Sequence, residues 1–428
     1  MSAPILIVGA GVAGLTCAIE LHRAGRAVQL LDAAPEVGGR VRSTRIDGFT
    51  VDHGFQVLFT AYPTLRQYLD LDALALRRFQ PAARIVHNGH TSLVGDALRD
   101  RGLLFDTVTA RAIGLGDKLR LLALRRFAQQ LSIDACFGAP YDRVSTRDFL
   151  QQRGFSTAAI DGFFAPFYGG ILLDRTLATS ASILLFTFKM LADGDSVVPA
   201  GGIGAITQQM AAQLPAGTVH VACRVDQILV DEGRASGVVL HDGTVRSAQH
   251  IVLATEAPVA TRLAATAGVT LAQPTGARGC STVYFTTHES PIPGKALWLN
   301  ADPNAVISHA VTLTDVAPEY APAGQQLIAA TAVGDAATLS DAQLEAEART
   351  ELARMGHRSP ESAALQRLTI CRVPYAQYPQ PPGWREHRPT IACGIPGLWR
   401  ASEVLHSSSL EGAARGGVGA AQAILHST

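Results

Sequence analysis

Three glycines at fixed spacing open the chain, in Gly9-Ala10-Gly11-Val12-Ala13-Gly14. In such a pattern the first glycine permits a tight turn. The second lets backbone approach a pyrophosphate, and the third lets a helix pack close to a strand. The flanks fit this chemistry. Ile5-Leu6-Ile7-Val8 is a fully apolar run, as a central parallel strand requires. An apolar-periodic helix passes through Ala18, Ile19 and Leu21 and stops at Gly25, with His22, Arg23 and Arg26 near its C-terminus. Ala27 to Leu31 reads as a second strand, closed by Asp32. That carboxylate, 18 residues after Gly14, is placed to accept hydrogen bonds from ribose hydroxyls. A lone Gly-x-Gly-x-x-Gly also suits a glycine-rich turn in an unrelated α/β fold. Strand, helix and acid together point to a bound dinucleotide.

Pro35-Glu-Val-Gly38-Gly39-Arg40-Val-Arg42-Ser43 follows at once. Two glycines beside Arg40 allow close backbone approach and a bidentate contact to phosphate. The alternative for Arg40 and Arg42 is a solvated basic loop.

Composition bounds the partners. The 428 residues suit two or three domains, or one large α/β body with an elaborated second lobe. Hydrophobic residues make up 47% and charged residues 17%, which implies a large core and excludes a disordered chain. Lys+Arg and Asp+Glu number 36 each, so no overall field draws the protein to nucleic acid. Six scattered cysteines, with no C-x-x-C pair and no metal-ligand spacing, read as reduced thiols of a cytoplasmic protein. There is no signal-peptide pattern and no apolar run long enough to span a bilayer, so the expectation is a soluble chain with at most a peripheral membrane contact. The basic, apolar helix from Lys118 to Phe127 reads as a solvated face or as a membrane-surface helix.

Strand-like runs at 228–230, 238–240 and 251–254 read as a small β-meander returning to a parallel sheet. The chain ends in a Gly/Ala-rich helix from about Leu410 to Leu425. With the glycine loop, the acid and Gly38-Gly39-Arg40 in place, the sequence resembles the flavin amine oxidase and phytoene desaturase superfamily, nearly end to end. Val51-Asp-His53-Gly54-Phe55-Gln56 resembles the segment that passes the flavin ring. Pro199-Ala-Gly-Gly-Ile-Gly204 resembles the stretch that re-enters the FAD domain, and Val225 the position whose backbone holds the adenine. Leu398-Trp-Arg-Ala-Ser402-Glu403 resembles the second FAD motif, with Ser402 where glycine is common and Glu403 on the ribityl chain. Ser409-Leu410-Glu411-Gly412-Ala413 resembles the helix start beneath the flavin pyrimidine, whose amide donors face the ring oxygen.

The resemblance implies FAD, bound non-covalently, and no metal. It implies a Rossmann-like FAD domain, a doubly wound parallel sheet plus β-meander, from residues 1–79, 197–262 and 389–428. A mixed α+β substrate domain would comprise residues 80–196 and 263–388. It further implies dehydrogenation by hydride transfer to flavin N5, with oxygen or a quinone as acceptor, since no second dinucleotide motif appears. Thr314-Asp-Val-Ala-Pro-Glu-Tyr-Ala-Pro322-Ala-Gly324 resembles the desaturase branch, which favours a hydrophobic, isoprenoid-like substrate. Amine oxidation remains an alternative, although Ser409 stands where one of two cage aromatics is usual; Tyr375 or Tyr378 would be the other. A non-redox isomerase or mutase is a third reading. Tyr168, in the aromatic run 163–173, is a pocket candidate against a core alternative, and Gln56 is another pocket candidate. His53 is a candidate proton carrier against a structural one.

Overall fold

The computed structural model describes residues 4–87, 89–110, 113–359 and 364–427. Ile5–Val8 is the central strand of a five-stranded parallel sheet, ordered Val219–His220, Val28–Leu31, Ile5–Val8, Ile251–Leu253 and Leu398–Arg400. Its four side chains are all buried, because helices and the meander cover both faces. Helix Val12–Arg23 is apolar on nearly every side. It lies between this sheet and the C-terminal helix Leu410–His426, and an apolar surround of that kind needs burial all round. The two helices approach closely: a Cβ on Gly417 would stand 2.4 Å from the Ala13 carbonyl oxygen. Strands Val225–Asp231, Arg234–Leu240 and Val245–Ser247 form the antiparallel meander.

A second, seven-stranded mixed sheet runs in the order Gln366–Gln377, Arg278–Thr287, Gln326–Val333, Ile307–Thr312, Leu297–Asn300, Ala82–His87 and His90–Gly95. Helices Leu115–Gln130, Thr146–Gln152, Ala165–Leu172 and Ala181–Asp193 accompany it. The architecture is thus mixed α/β, with a parallel and a mixed sheet. We propose that the sheets mark two lobes, with crossings near residues 79, 197, 262 and 389.

Asp52 ties the hairpin 43–52 and the loop at Ile203 to the mixed sheet. It ends the hairpin strand Phe49–Asp52 and is 2% exposed. Its carboxylate accepts hydrogen bonds from Ser43 Oγ at 2.6 Å, the Ile203 amide at 2.9 Å and Tyr320 Oη at 2.9 Å. Its carbonyl accepts one from Tyr284 Oη, on the mixed sheet, at 2.8 Å. Burial outweighs these donors and pushes the carboxyl up to about 6. The folded protein therefore holds this proton more tightly than the unfolded chain does. The resulting stabilisation is complete below the ordinary aspartate value, about 4, and is lost as pH rises through about 6. Asp52→Asn, which cannot ionise, is expected to flatten the fall in thermal midpoint across that window. An unchanged slope would remove Asp52 as its source.

Candidate cofactor site

The glycine loop lies at the C-terminal end of the central strand. Gly9 takes φ +111°, and a Cβ there would stand 2.7 Å from the Ala254 carbonyl oxygen. Helix Val12–Arg23 begins at Gly11 with no side-chain cap and no acid in its first turn. The N–H groups of Gly11, Val12, Ala13 and Gly14 have no acceptor among the described residues. Four unpaired amides at the positive end of a helix form an anion seat. The space before them is open, since a Cβ on Gly11 would meet no protein atom nearer than 3.8 Å, the carbonyl oxygen of Gly38.

Asp32 fixes this loop. One carboxylate oxygen accepts the Ala10 amide at 2.6 Å and the other the Ala34 amide at 2.8 Å. Further lone pairs stay available for ribose hydroxyls. Gly38 is joined to the loop by its amide, which donates to the Ala10 carbonyl at 2.9 Å. Val225 begins the meander near the end of strand Val28–Leu31; the Cys223 amide donates to the Asp32 carbonyl at 2.7 Å.

Arg40 and Glu403, 363 residues apart, form an ion pair at 2.6 Å. Burial opposes the charge on Glu403, but Arg40 outweighs it and holds the carboxyl below its usual range. Arg40 also donates to the Ala376 carbonyl at 3.0 Å, and its guanidinium carbon lies 5.9 Å from the Tyr375 ring centre. Ser402 donates to the other Glu403 oxygen at 2.9 Å and caps the turn Glu403–Leu405, which glycine in its place could not do. Gln56 donates to the carbonyls of Arg40 at 2.7 Å and His53 at 2.9 Å, so it braces the arginine loop.

Several expected roles change. The Arg40 guanidinium closes on Glu403 instead of standing free for phosphate, because a buried carboxylate needs a counter-charge. The Glu411 carboxylate turns away from the helix start and accepts the Thr64 and Leu65 amides at 3.0–3.1 Å, capping the turn Leu65–Tyr68. The Gly412 amide donates to Ser409 Oγ at 2.9 Å and that of Ala413 to the Ser409 carbonyl at 3.0 Å. Among the described residues only the Leu410 and Glu411 amides remain as free first-turn donors, since Ser409 is an N-cap.

His53 has both ring nitrogens engaged, with Arg42 at 3.1 Å and Thr44 at 2.9 Å, which suits a structural histidine and not a proton carrier. Tyr378 is buried with its hydroxyl on the Glu403 carbonyl at 3.3 Å, so it faces the backbone and not a pocket. Tyr168 stacks between Phe164 at 6.0 Å and Phe188 at 6.2 Å, within a packed aromatic column. Phe55 turns its ring toward His309, 5.4 Å away, and Phe79.

Tyr375 differs: its hydroxyl is buried without a partner among the described residues, as is that of Thr255, beside the glycine loop. Burial pushes the Tyr375 phenol up to about 12, so it stays a neutral donor. One group escaped the sequence reading. Cys280 and Thr282 on one strand, Thr331 and Val333 on the next, and His309 share the sheet face that meets Gly54 and Phe55. Alternation along strand 278–287 was its only signal.

An uncapped helix start, an open space before it and unpartnered buried hydroxyls nearby fit a dinucleotide. Gly11 to Gly14 would hold its pyrophosphate, Asp32 its ribose, and Arg40, Tyr375 and Glu403 its middle. This is the architecture of a FAD-dependent flavoprotein.

Residues 12–425 match the family described as flavin containing amine oxidoreductase. The chain belongs to that family, and its cofactor is FAD. An L-amino-acid oxidase of Crotalus adamanteus is 32% identical over 165 residues, which are 37% of this chain and 32% of that protein. The match therefore spans about a third of the curated relative's length. A provisionally assigned protoporphyrinogen oxidase from Exiguobacterium superposes with a TM-score of 0.76 at 18% identity, covering all of both chains. Putrescine oxidase bound to putrescine gives 0.70 at 18%, covering 100% of this chain and 99% of its own. At such identities the structural likeness establishes the fold alone.

Proposed function

We propose that the protein is a FAD-dependent oxidoreductase that dehydrogenates an uncharged, hydrophobic small molecule, isoprenoid-like in character. The supporting observation is the wall over the Gly54 loop. Leu173, Cys280 and Val333 form a separate apolar cluster, with Val373 and Ala376 packed against it. A Cβ on Gly54 would stand 3.3 Å from Val373 and 3.7 Å from Cys280. These side chains present an apolar surface, which suits an uncharged substrate.

The amine reading is favoured by the family and by the relatives named above. It needs an aromatic cage, however. Ser409 caps a helix where one cage aromatic would stand, and Arg40 already faces the Tyr375 ring. A bound flavin accepts the electrons of a C–H bond. The chain's own part is to orient the substrate, exclude water and keep Tyr375 protonated beside the Arg40–Glu403 pair. Electrons would leave to oxygen or a quinone.

Anaerobic titration of the yellow protein tests this. Detergent-dispersed isoprenoids should bleach the visible flavin band, and small amines should leave it unchanged. Bleaching by amines, with peroxide released on re-aeration, would replace this reading with amine oxidation. A flavin bleached by neither set would favour an isomerase or mutase.

A further inference from the structure

Ten large apolar side chains stand exposed among the described residues, and seven of them fall between residues 98 and 122. Chance scatter would spread them over the surface, so this is a patch. Phe105 is 76% exposed, and Leu104 and Val108 stand beside it on the short helix Leu104–Thr109, which has no buried residue. Leu115, Leu119 and Leu122 recur at i, i+4 and i+7 on helix Leu115–Gln130 and face outward. Leu124 and Ala128, on the opposite face, are buried. A surface helix ordinarily turns its apolar stripe inward; this one carries a second stripe outward. Lys118 Nζ donates to the Val108 and Ala110 carbonyls at 2.6 and 2.9 Å, which staples the two helices into one face.

Charge identifies the partner. Residues 98–130 hold seven Lys/Arg against three Asp, in a chain whose net charge is zero. Arg101 and Arg126 are exposed and have no acidic partner among the described residues. Leucine and phenylalanine between unpaired arginines match the composition of an interfacial membrane helix. No helix among the described residues is long and apolar enough to cross a membrane. We propose that this face docks the protein on the surface of an anionic lipid bilayer, with Phe105, Leu104 and the Leu115/Leu119/Leu122 stripe in the headgroup–acyl boundary. Arg101 and Arg126 would contact the headgroups. The docking surface stands independently of which substrate the flavin oxidises.

Sedimentation of the flavin-loaded protein with vesicles tests it. Vesicles of phosphatidylcholine with phosphatidylglycerol should carry the protein down, and high salt should weaken binding severalfold. Phe105→Ser with Leu119→Ser should lower affinity for these vesicles at least tenfold. Both side chains are exposed, so the flavin spectrum and thermal midpoint should not move. Arg101→Gln with Arg126→Gln should cost roughly tenfold on anionic vesicles and little on phosphatidylcholine alone. The proposal is overturned if the wild-type protein stays in the supernatant with anionic vesicles at low salt, or if both double variants sediment like wild type. It is equally overturned by a concentration-dependent dimer that Phe105→Ser breaks while vesicles capture nothing, since a second copy would then cover the patch.

Discussion

Glu403→Ala removes the flavin and destabilises the fold together. The Glu403 side chain is 6% exposed and the Arg40 side chain 30%. Deleting the carboxylate leaves a guanidinium largely enclosed, with the Ala376 carbonyl its only hydrogen-bond acceptor among the described residues. Removing one member of a buried pair costs several kcal/mol. Arg40 keeps some solvent, so the expected loss is about 2–3 kcal/mol, below the fully buried range. The loop carrying Gly38 and Gly39 hangs from Arg40, so the cofactor cradle should loosen with it. Flavin per polypeptide and the thermal midpoint should fall in parallel. Glu403→Gln, which keeps the hydrogen-bond geometry without the charge, should lie between. Arg40→Ala combined with Glu403→Ala should lose less than the sum of the single variants, because the orphaned charge is gone. Full flavin occupancy and turnover in Glu403→Ala would dismiss the pair as part of the cofactor site.

The reach of sequence reasoning is visible in this pair. Arg40 and Glu403 are each recognisable from neighbours a few residues away: two glycines before one, a short apolar strand before the other. That they close on each other across 363 residues is a tertiary fact. The parallel sheet is legible for the same reason. Ile5–Val8, the glycine turn and helix Val12–Arg23 are contiguous, and each states its conformation locally. The mixed sheet is not legible. Strand Arg278–Thr287 pairs with both Gln326–Val333 and Gln366–Gln377, which begin 48 and 88 residues after it, and nothing local specifies their order or register.

Side-chain direction fails first. Glu411 belongs to the run that resembles a helix start beneath the flavin, yet its carboxylate caps a turn 346 residues earlier. Tyr375 and Tyr378 look equivalent in a Tyr-x-x-Tyr run. The strand ends between them, at Gln377, so one hydroxyl stays unpartnered while the other meets the Glu403 backbone. Nothing in the sequence singles out Asp52 within its segment, because the three donors to its carboxylate come from three separate segments.

The sharpest test of the cradle uses two glycines three residues apart whose substitution by alanine should fail for different reasons. A Cβ on Gly14 would stand 1.9 Å from the Gly9 carbonyl oxygen and 3.1 Å from Ala254 Cβ. Gly9 cannot yield readily: its amide is held by the Leu31 carbonyl at 2.8 Å, and its φ is +111°. The helix would have to move off the sheet, at a cost of about 3 kcal/mol or more, the upper part of the range for overpacking. Gly14→Ala should therefore lose stability and flavin alike. Gly11 sits instead at φ −79° and ψ −178°, which any residue adopts, and its Cβ would touch no protein atom closely. Gly11→Ala should leave the flavin-free protein melting like the wild type, to within about 0.5 kcal/mol. Its methyl group would nevertheless occupy the approach to the four unpaired amides, so flavin affinity should fall at least tenfold. Measured on flavin-free protein by thermal unfolding and on reconstitution by flavin fluorescence quenching, the two variants separate packing from ligand space. Gly11→Ala that takes up flavin like the wild type would mean that the pyrophosphate does not lie at this helix start.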